Sequence, residues 1–240
     1  NFYHNVSYIY FSMILNAITS GFTLYFNNFL AFSKIFLFPI LFIGLLSTAA
    51  DYLFSLGEDY FVVAALILVF QVIFLTPLYT GMAILIGRDL RNGSLNKLIG
   101  YVIVAAQLAL KIFILQVIIG IMTIIGLVLF IIPGLYIQFR FTYSVYYLVL
   151  EGNSILGSLD NLWNESREVH WSLFNAGVLL TLITISFVLI LYAVLGISSQ
   201  DEMSVVLSFI GNCITIYLQM ILVAFPVYSI YQLILKKISS

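Results

Sequence analysis

Four side chains within one short stretch of the sequence have the chemistry to bind a charged ligand. Arg140 is the basic residue that the predicted layout leaves inside an apolar run, and Tyr136, Gln138 and Tyr143 are the polar groups nearest to it along the chain. A guanidinium binds phosphates and carboxylates through paired hydrogen bonds. These four residues are the candidate site for an anionic lipid headgroup or substrate. The alternative is that Arg140 is structural and snorkels to the outer interface or fixes helix packing.

Residues for enzymatic chemistry do not cluster in this sequence. The two histidines, His4 and His170, lie far apart, and no His-Glu-x-x-His, paired-cysteine, phosphate-loop or dinucleotide-binding motif occurs. The single cysteine, Cys213, excludes an internal disulfide and a thiolate metal cluster. The sequence therefore predicts a non-enzymatic protein with no catalytic residue, no metal site and no cofactor.

The composition predicts which elements hold these residues. Of the 240 residues, 63% are hydrophobic and only 8% are charged, against roughly a quarter charged in a soluble domain. The apolar runs are continuous, which is typical of lipid-spanning helices rather than of barrel strands. The net charge of -1 gives no reason to expect nucleic acid as a partner. The predicted fold class is all-α: a polytopic helical bundle in a membrane, with residues 1–240 as a single domain.

Six membrane crossings follow from the apolar runs between charged residues, because about 20 apolar residues span a bilayer. Pro77 predicts a kink in the second crossing, and Pro133-Gly134 predicts the turn between the third and the fourth. The run from Leu98 to Ile132 exceeds one crossing, so its first dozen residues are expected at the interface. The predicted crossings cover residues 30–50, 60–87, 112–131, 135–150, 173–195 and 205–235, with four in residues 30–150 and two in residues 172–237.

The basic residues in the loops predict the orientation. They fall on one side of the predicted membrane and none falls on the other: Lys34, Arg88, Arg91, Lys97, Arg167, Lys236 and Lys237. Because basic loops stay in the cytoplasm, both termini are expected there. The same bias favours an even number of crossings.

The N-terminal residues 1–29 are predicted to form a helix that lies in the membrane interface. Polar side chains recur there at spacings of three and four, which places them along one helical stripe: Ser12, Asn16, Thr19, Thr23 and Asn27. A seventh crossing over residues 6–26 is the alternative. The sequence begins at Asn1 rather than at Met, which leaves a preceding segment open.

Residues 154–168 are predicted to form an amphipathic helix on the cytoplasmic surface, with Asn153 or Ser154 as its N-cap. Its apolar face holds Leu159, Leu162 and Trp163, and the second tryptophan of the chain, Trp171, follows directly. Tryptophan favours the membrane interface. These four residues are therefore the expected membrane-surface anchor.

The segment around the candidate site resembles a known family. Phe130-Ile131-Ile132-Pro133-Gly134-Leu135-Tyr136 is followed by Arg140, a Glu151-Gly152 turn, the amphipathic helix and Trp171. This order is similar to bacterial inner-membrane proteins related to the membrane domain of glycerophosphoryl diester phosphodiesterases, over residues 120 to 180. The resemblance implies a multi-pass protein of the bacterial cytoplasmic (inner) membrane. It does not imply phosphodiesterase activity, because the sequence contains no such catalytic domain.

Two hypotheses about function follow. The first is a non-enzymatic membrane subunit or scaffold that binds membrane lipids or partner membrane proteins of a larger complex. The second is a small permease, or the membrane half of a transporter, with Arg140 on the substrate path. A transporter is expected to show broken helices and facing polar residues. Arg140 and the breaks at Pro77 and Pro133 are the features that favour it.

Overall fold

The computed structural model describes the backbone of residues 2–195 and 205–238 and the side chains of residues 12–190, 193 and 205–234. Over these residues the chain forms α-helices joined by short turns, and no strand is formed. The helices are α1 (Phe2–Asn27), α2 (Phe29–Ser55), α3 (Phe61–Phe70), α4 (Thr76–Arg91), α5 (Leu98–Leu129), α6 (Ile131–Phe141), α7 (Ser144–Leu150), α8 (Ile155–Glu165), α9 (His170–Leu195), α10 (Val205–Leu222) and α11 (Tyr228–Ile238).

Five helical segments in the described residues are long and apolar enough to cross a membrane. The helical membrane protein predicted from composition is confirmed at this level. Much of the apolar surface of these segments faces outward, as in a protein whose solvent is lipid. The five segments are Phe29–Ser55, Glu58–Arg91, Leu98–Leu129, His170–Ile190 and Val205–Ile234.

The predicted fourth crossing, residues 135–150, is not a single helix. α6 ends at Phe141 and α7 begins at Ser144, so the two pieces are only about 16 Å and 10 Å long. The predicted turn at Pro133-Gly134 is also misplaced. The break lies at Phe130, which is extended (φ -161°, ψ 145°). Pro133 then falls in the first turn of α6, where its missing N–H costs no intrahelical bond.

The third crossing and the interfacial dozen before it form one helix, α5, of 32 residues. α6 folds back on α5 as a tight hairpin. A Cβ built on Gly126 would lie 2.7 Å from the Cα of Gly134, so this approach requires glycine. The hairpin gives Gly134 a packing role that the sequence suggested only as a turn.

Two helices are broken by π-helical turns, and both breaks lie at a proline. The kink expected at Pro77 is the turn Gln71–Leu75, which directly precedes α4. A second turn, Val223–Val227, contains Pro226 and separates α10 from α11. A proline cannot donate to the preceding turn, so the backbone rearranges locally around it.

α1 is a helix, as predicted. Its apolar face, with Ile14, Ile18 and Tyr25 buried, packs against α9 and α11. Four residues of the predicted polar stripe are exposed: Asn16, Thr19, Thr23 and Asn27.

Side-chain contacts define which helix ends lie together. Asn212 of α10 donates to Asp51 near the end of α2 (3.0 Å), and Tyr217 contacts Ser33 near its start (2.6 Å), so the two helices are antiparallel. α11 continues from α10, and its contacts define the other end of the bundle. There, Tyr231 donates to Glu151 (2.6 Å), and the Arg91 guanidinium lies over the Tyr228 ring. We call this the Arg91 end of the bundle.

Candidate functional site

Arg140 is buried and holds the junction between α6 and α8. Its Nε donates to Ser166 Oγ (3.0 Å), Nη1 to Tyr136 OH (2.7 Å) and Nη2 to the Trp163 carbonyl (2.9 Å). The guanidinium also lies 3.8 Å from the centre of a Trp163 ring. These partners are neutral, and the carbonyl belongs to the last turn of α8, where the helix dipole favours a cation.

This position differs from the one expected at the outer interface. The sequence placed Arg140 near the outer leaflet and the segment of Trp163 on the cytoplasmic surface. The structure puts the two in direct contact, so these expectations are incompatible. The difference follows from the break after Phe141: a single helix would have carried Arg140 away from Trp163, and two short helices do not.

The structure does not bring the four predicted ligand residues together. Tyr136 accepts a hydrogen bond from Arg140 and packs edge-on against His170. Gln138 points elsewhere and accepts a hydrogen bond from Thr123 of α5 (3.0 Å). Tyr143 is 2% exposed, at the break between α6 and α7. Of the other three predicted ligand residues, only Tyr136 bonds to Arg140, whose remaining two bonds go to Ser166 and Trp163.

α8 is present where the amphipathic pattern predicts it, and Ser154 is its N-cap. The Ser154 Oγ accepts from the Gly157 N–H (3.0 Å). Leu162 is fully buried against the bundle and Leu159 is half-buried, so these two contact protein rather than lipid. The outward apolar side chains are Leu156, Trp163 and Trp171.

An aromatic cluster surrounds the Arg140 junction. Phe141 stacks on Trp163 with nearly parallel rings, and Tyr136 contacts Trp171. Trp163 and Trp171 remain 44% and 58% exposed despite these contacts. The cluster thus packs against protein on its inner side and is exposed on its outer side. We call Leu156, Trp163 and Trp171 the tryptophan face.

Two carboxylates near α8 are bound by tyrosines. Tyr147 donates to Glu165, and Tyr231 donates to Glu151. Both bonds link α7, α8 and α11 at the Arg91 end.

The sequence does not predict one buried carboxylate, that of Asp89. Asp89 is 4% exposed and accepts bonds from Arg88 (2.8 Å), Asn96 (3.0 Å) and Tyr101 (2.9 Å). It therefore fixes the loop between α4 and α5. The sequence shows Arg88-Asp89 as an ordinary pair of charges at a helix end, and only the return of Tyr101 reveals its burial.

A cavity of about 370 Å³ lies where α4, α5, α6 and the π turn Val223–Val227 meet. Hydroxyl and amide groups line it alongside apolar side chains. Both π turns adjoin it, through Thr76 on one side and Val223 on the other. Its polar lining residues are Thr76, Thr80, Gln116, Gln138, Thr142 and Tyr146. Of the predicted site residues, Gln138 alone lines this cavity.

No family model, curated protein or solved structure matches this chain. The resemblance in the Ile-Pro-Gly segment consequently rests on its sequence motif.

Proposed function

We propose that this chain is a non-enzymatic membrane protein that binds lipid or a partner membrane protein through the tryptophan face. The observation that supports this proposal is the clamp on α8. Two bonds from Arg140, to the Trp163 carbonyl and to Ser166 at the C-terminal end of α8, and the burial of Leu162 hold this helix, while Leu156, Trp163 and Trp171 remain outward. A fixed surface with exposed aromatic side chains suits association with an interface or another protein.

The membrane assignment within this proposal is a bacterial cytoplasmic membrane with both termini inside. Its support is the basic count in the loops, together with the contacts that place Arg91, Glu151 and Tyr231 at one end.

Intrinsic fluorescence tests the proposal directly, because Trp163 and Trp171 are the two tryptophans of the chain. In vesicles of brominated phosphatidylcholine, lipid contact is expected to quench their emission strongly compared with unbrominated vesicles. Association with a partner is expected to protect them in the complex purified from native membranes. If neither preparation shows quenching or a retained partner, the proposal is wrong.

A matched pair of variants assigns the effect to this face. Leu156→Asn removes an apolar side chain from the tryptophan face, and Leu95→Asn removes one from the loop before α5; both residues are exposed. We expect Leu156→Asn to reduce lipid or partner retention and Leu95→Asn to leave it unchanged.

A second candidate, a small permease, is supported by the polar cavity beside the two π turns. Transport requires access to the cavity from both sides of the membrane. A cysteine replacing Gly120 would reach the cavity without a clash, since no atom lies within 4 Å of the added Cβ. In a Cys213→Ala background, a permease is expected to show labelling of Gly120→Cys from either side, and labelling of Gly100→Cys from one side.

A further inference from the structure

A second, separate pocket lies at the Arg91 end of the bundle. It has a volume of about 260 Å³ and sits between α1, the last turn of α4 and α11. Its wall combines one cationic side chain with several neutral hydrogen-bonding groups. The polar lining residues are Asn16, Ser20, Arg91, Ser229 and Gln232.

Ser229 supplies the first indication of a ligand. It is only 5% exposed, and its Oγ has no hydrogen-bond partner. Buried hydroxyls are normally paired, because an unmade bond costs the desolvation of the group. Helical threonines elsewhere in this chain donate to the carbonyl four residues before them, as Thr80, Thr184 and Thr215 do.

Ser229 directly follows the π turn, and its hydroxyl does not make that bond. The carbonyl four residues before it belongs to Phe225, which lies within the turn Val223–Val227 and accepts from the Tyr228 N–H. The Ser229 hydroxyl makes no bond to this carbonyl and stays available at the pocket wall. An acceptor inside the pocket would satisfy it.

Arg91 supplies the second indication. The ion pair formed within the described residues is Arg88–Asp89, so Asp89 neutralises Arg88 and not Arg91. The Arg91 guanidinium lies 6.0 Å from the Tyr228 ring centre, beside the pocket. An uncompensated cation next to neutral donors is the arrangement that binds an anionic oxygen group.

We infer that this pocket binds a phosphoryl group, with Arg91 supplying charge and Ser229, Ser20 and Asn16 supplying hydrogen bonds. The group comes either from an anionic phospholipid headgroup or from free phosphate. The inference is independent of the tryptophan face, because none of its residues lines this pocket.

Native mass spectrometry of the detergent-purified full chain tests the inference with three probes. Dioctanoyl phosphatidylglycerol carries the phosphoryl group, dioctanoylglycerol lacks it, and inorganic phosphate carries it without acyl chains. We expect saturable binding of the phospholipid and none of the diacylglycerol. If inorganic phosphate at similar concentration competes with the phospholipid, the site binds free phosphate. If inorganic phosphate does not compete, the site binds the lipid.

Four variants locate the site. Arg91→Gln is expected to weaken binding about tenfold or more, as loss of a charged hydrogen bond does, whereas Arg91→Lys keeps part of it. The exposed control Lys97→Gln is expected to bind like wild type. Ser229→Ala is expected to weaken binding while leaving the melting temperature unchanged or higher, since it removes a buried unpaired hydroxyl. Equal binding by Arg91→Gln, Ser229→Ala and Lys97→Gln would overturn the inference.

Discussion

Arg140 illustrates how a buried charge is held by geometry rather than by an opposite charge. Its three nitrogens donate to three different acceptors in a fixed fork, with an indole ring over one face. A lysine ammonium has no such fork and does not reach three separated acceptors at once. The charge alone would therefore not replace the side chain.

We expect Arg140→Lys to lower the free energy of unfolding by about 1–3 kcal/mol, close to the effect of Arg140→Gln, because both leave buried acceptors unpaired. Thermal unfolding in detergent measures this. Arg167→Lys, at an exposed arginine bonded to Asn164, serves as the control. Near-wild-type stability of Arg140→Lys together with a loss of anion binding in Arg140→Gln would instead favour the ligand interpretation made from sequence.

Asp89 gives a second prediction at this scale. Its carboxylate accepts from Arg88, Asn96 and Tyr101, and an asparagine would place an NH₂ group against one of these donors. We expect Asp89→Asn to destabilise the protein by about 1–3 kcal/mol and to expose the loop at residues 92–97. Hydrogen exchange of that loop measures the effect. Asp160→Asn on the exposed face of α8 is expected to change nothing.

Individual residues show what the sequence could and could not predict. Amides within apolar runs usually bond between helices, and Gln71 does so to Ser47, as Asn212 does to Thr48. This pairing can be predicted from the apolar sequence around the amide alone. The partners of Arg140 and Asp89 could not be predicted, because they depend on which turns return to the same place in the fold.

At the scale of elements, helix existence was predictable and helix interruption was not. Composition and length locate α2, α5 and α9. Phe130 is itself neither Gly nor Pro, and the break after Phe141 has no Gly or Pro beside it. Tertiary contacts of α6 and α7 with other helices decide both positions.

The π turn Val223–Val227 packs closely against both α1 and α4, at Gly21 and at Gly87. A Cβ on Gly87 would lie 2.1 Å from the Ala224 carbonyl oxygen, so alanine there must displace backbone. We expect Gly87→Ala to lower the melting temperature clearly. Gly100→Ala, at a helical glycine in open space, is expected to leave it unchanged or raise it, since alanine favours the helix. Equal effects of the two substitutions would contradict this packing.

α8 was predicted well in extent and incompletely in orientation. Leu159, which the sequence places on the apolar face, is only half-buried, like the polar Asn161. The side chains that do differ are Leu162, fully buried, and Asp160, exposed. Periodicity identifies an apolar stripe, but it cannot distinguish a stripe that faces lipid from one that faces the bundle.

For the molecule as a whole, contacts between helices bear on the number of membrane crossings. Five segments are long enough, and the broken segment of α6 and α7 lies between the third and the fourth of them. If only these five segments crossed, α5 would be the single crossing between Arg91 and α8. α8 would then lie on the side of the membrane opposite to Arg91. The bond from Tyr231 to Glu151 and the contact of Arg91 with Tyr228 instead bring the start of α8 and the end of α4 to one side.

We therefore expect the α6–α7 segment to act as a return pass, and cysteine labelling in a Cys213→Ala background tests this. Ser55→Cys at the end of α2, Ser94→Cys after α4 and Asp160→Cys on α8 are all exposed positions. A membrane-impermeant maleimide added outside is expected to modify Ser55→Cys and spare the other two until the membrane is permeabilised. Modification of Asp160→Cys from outside, with Ser94→Cys protected, would show that α6 and α7 do not return the chain.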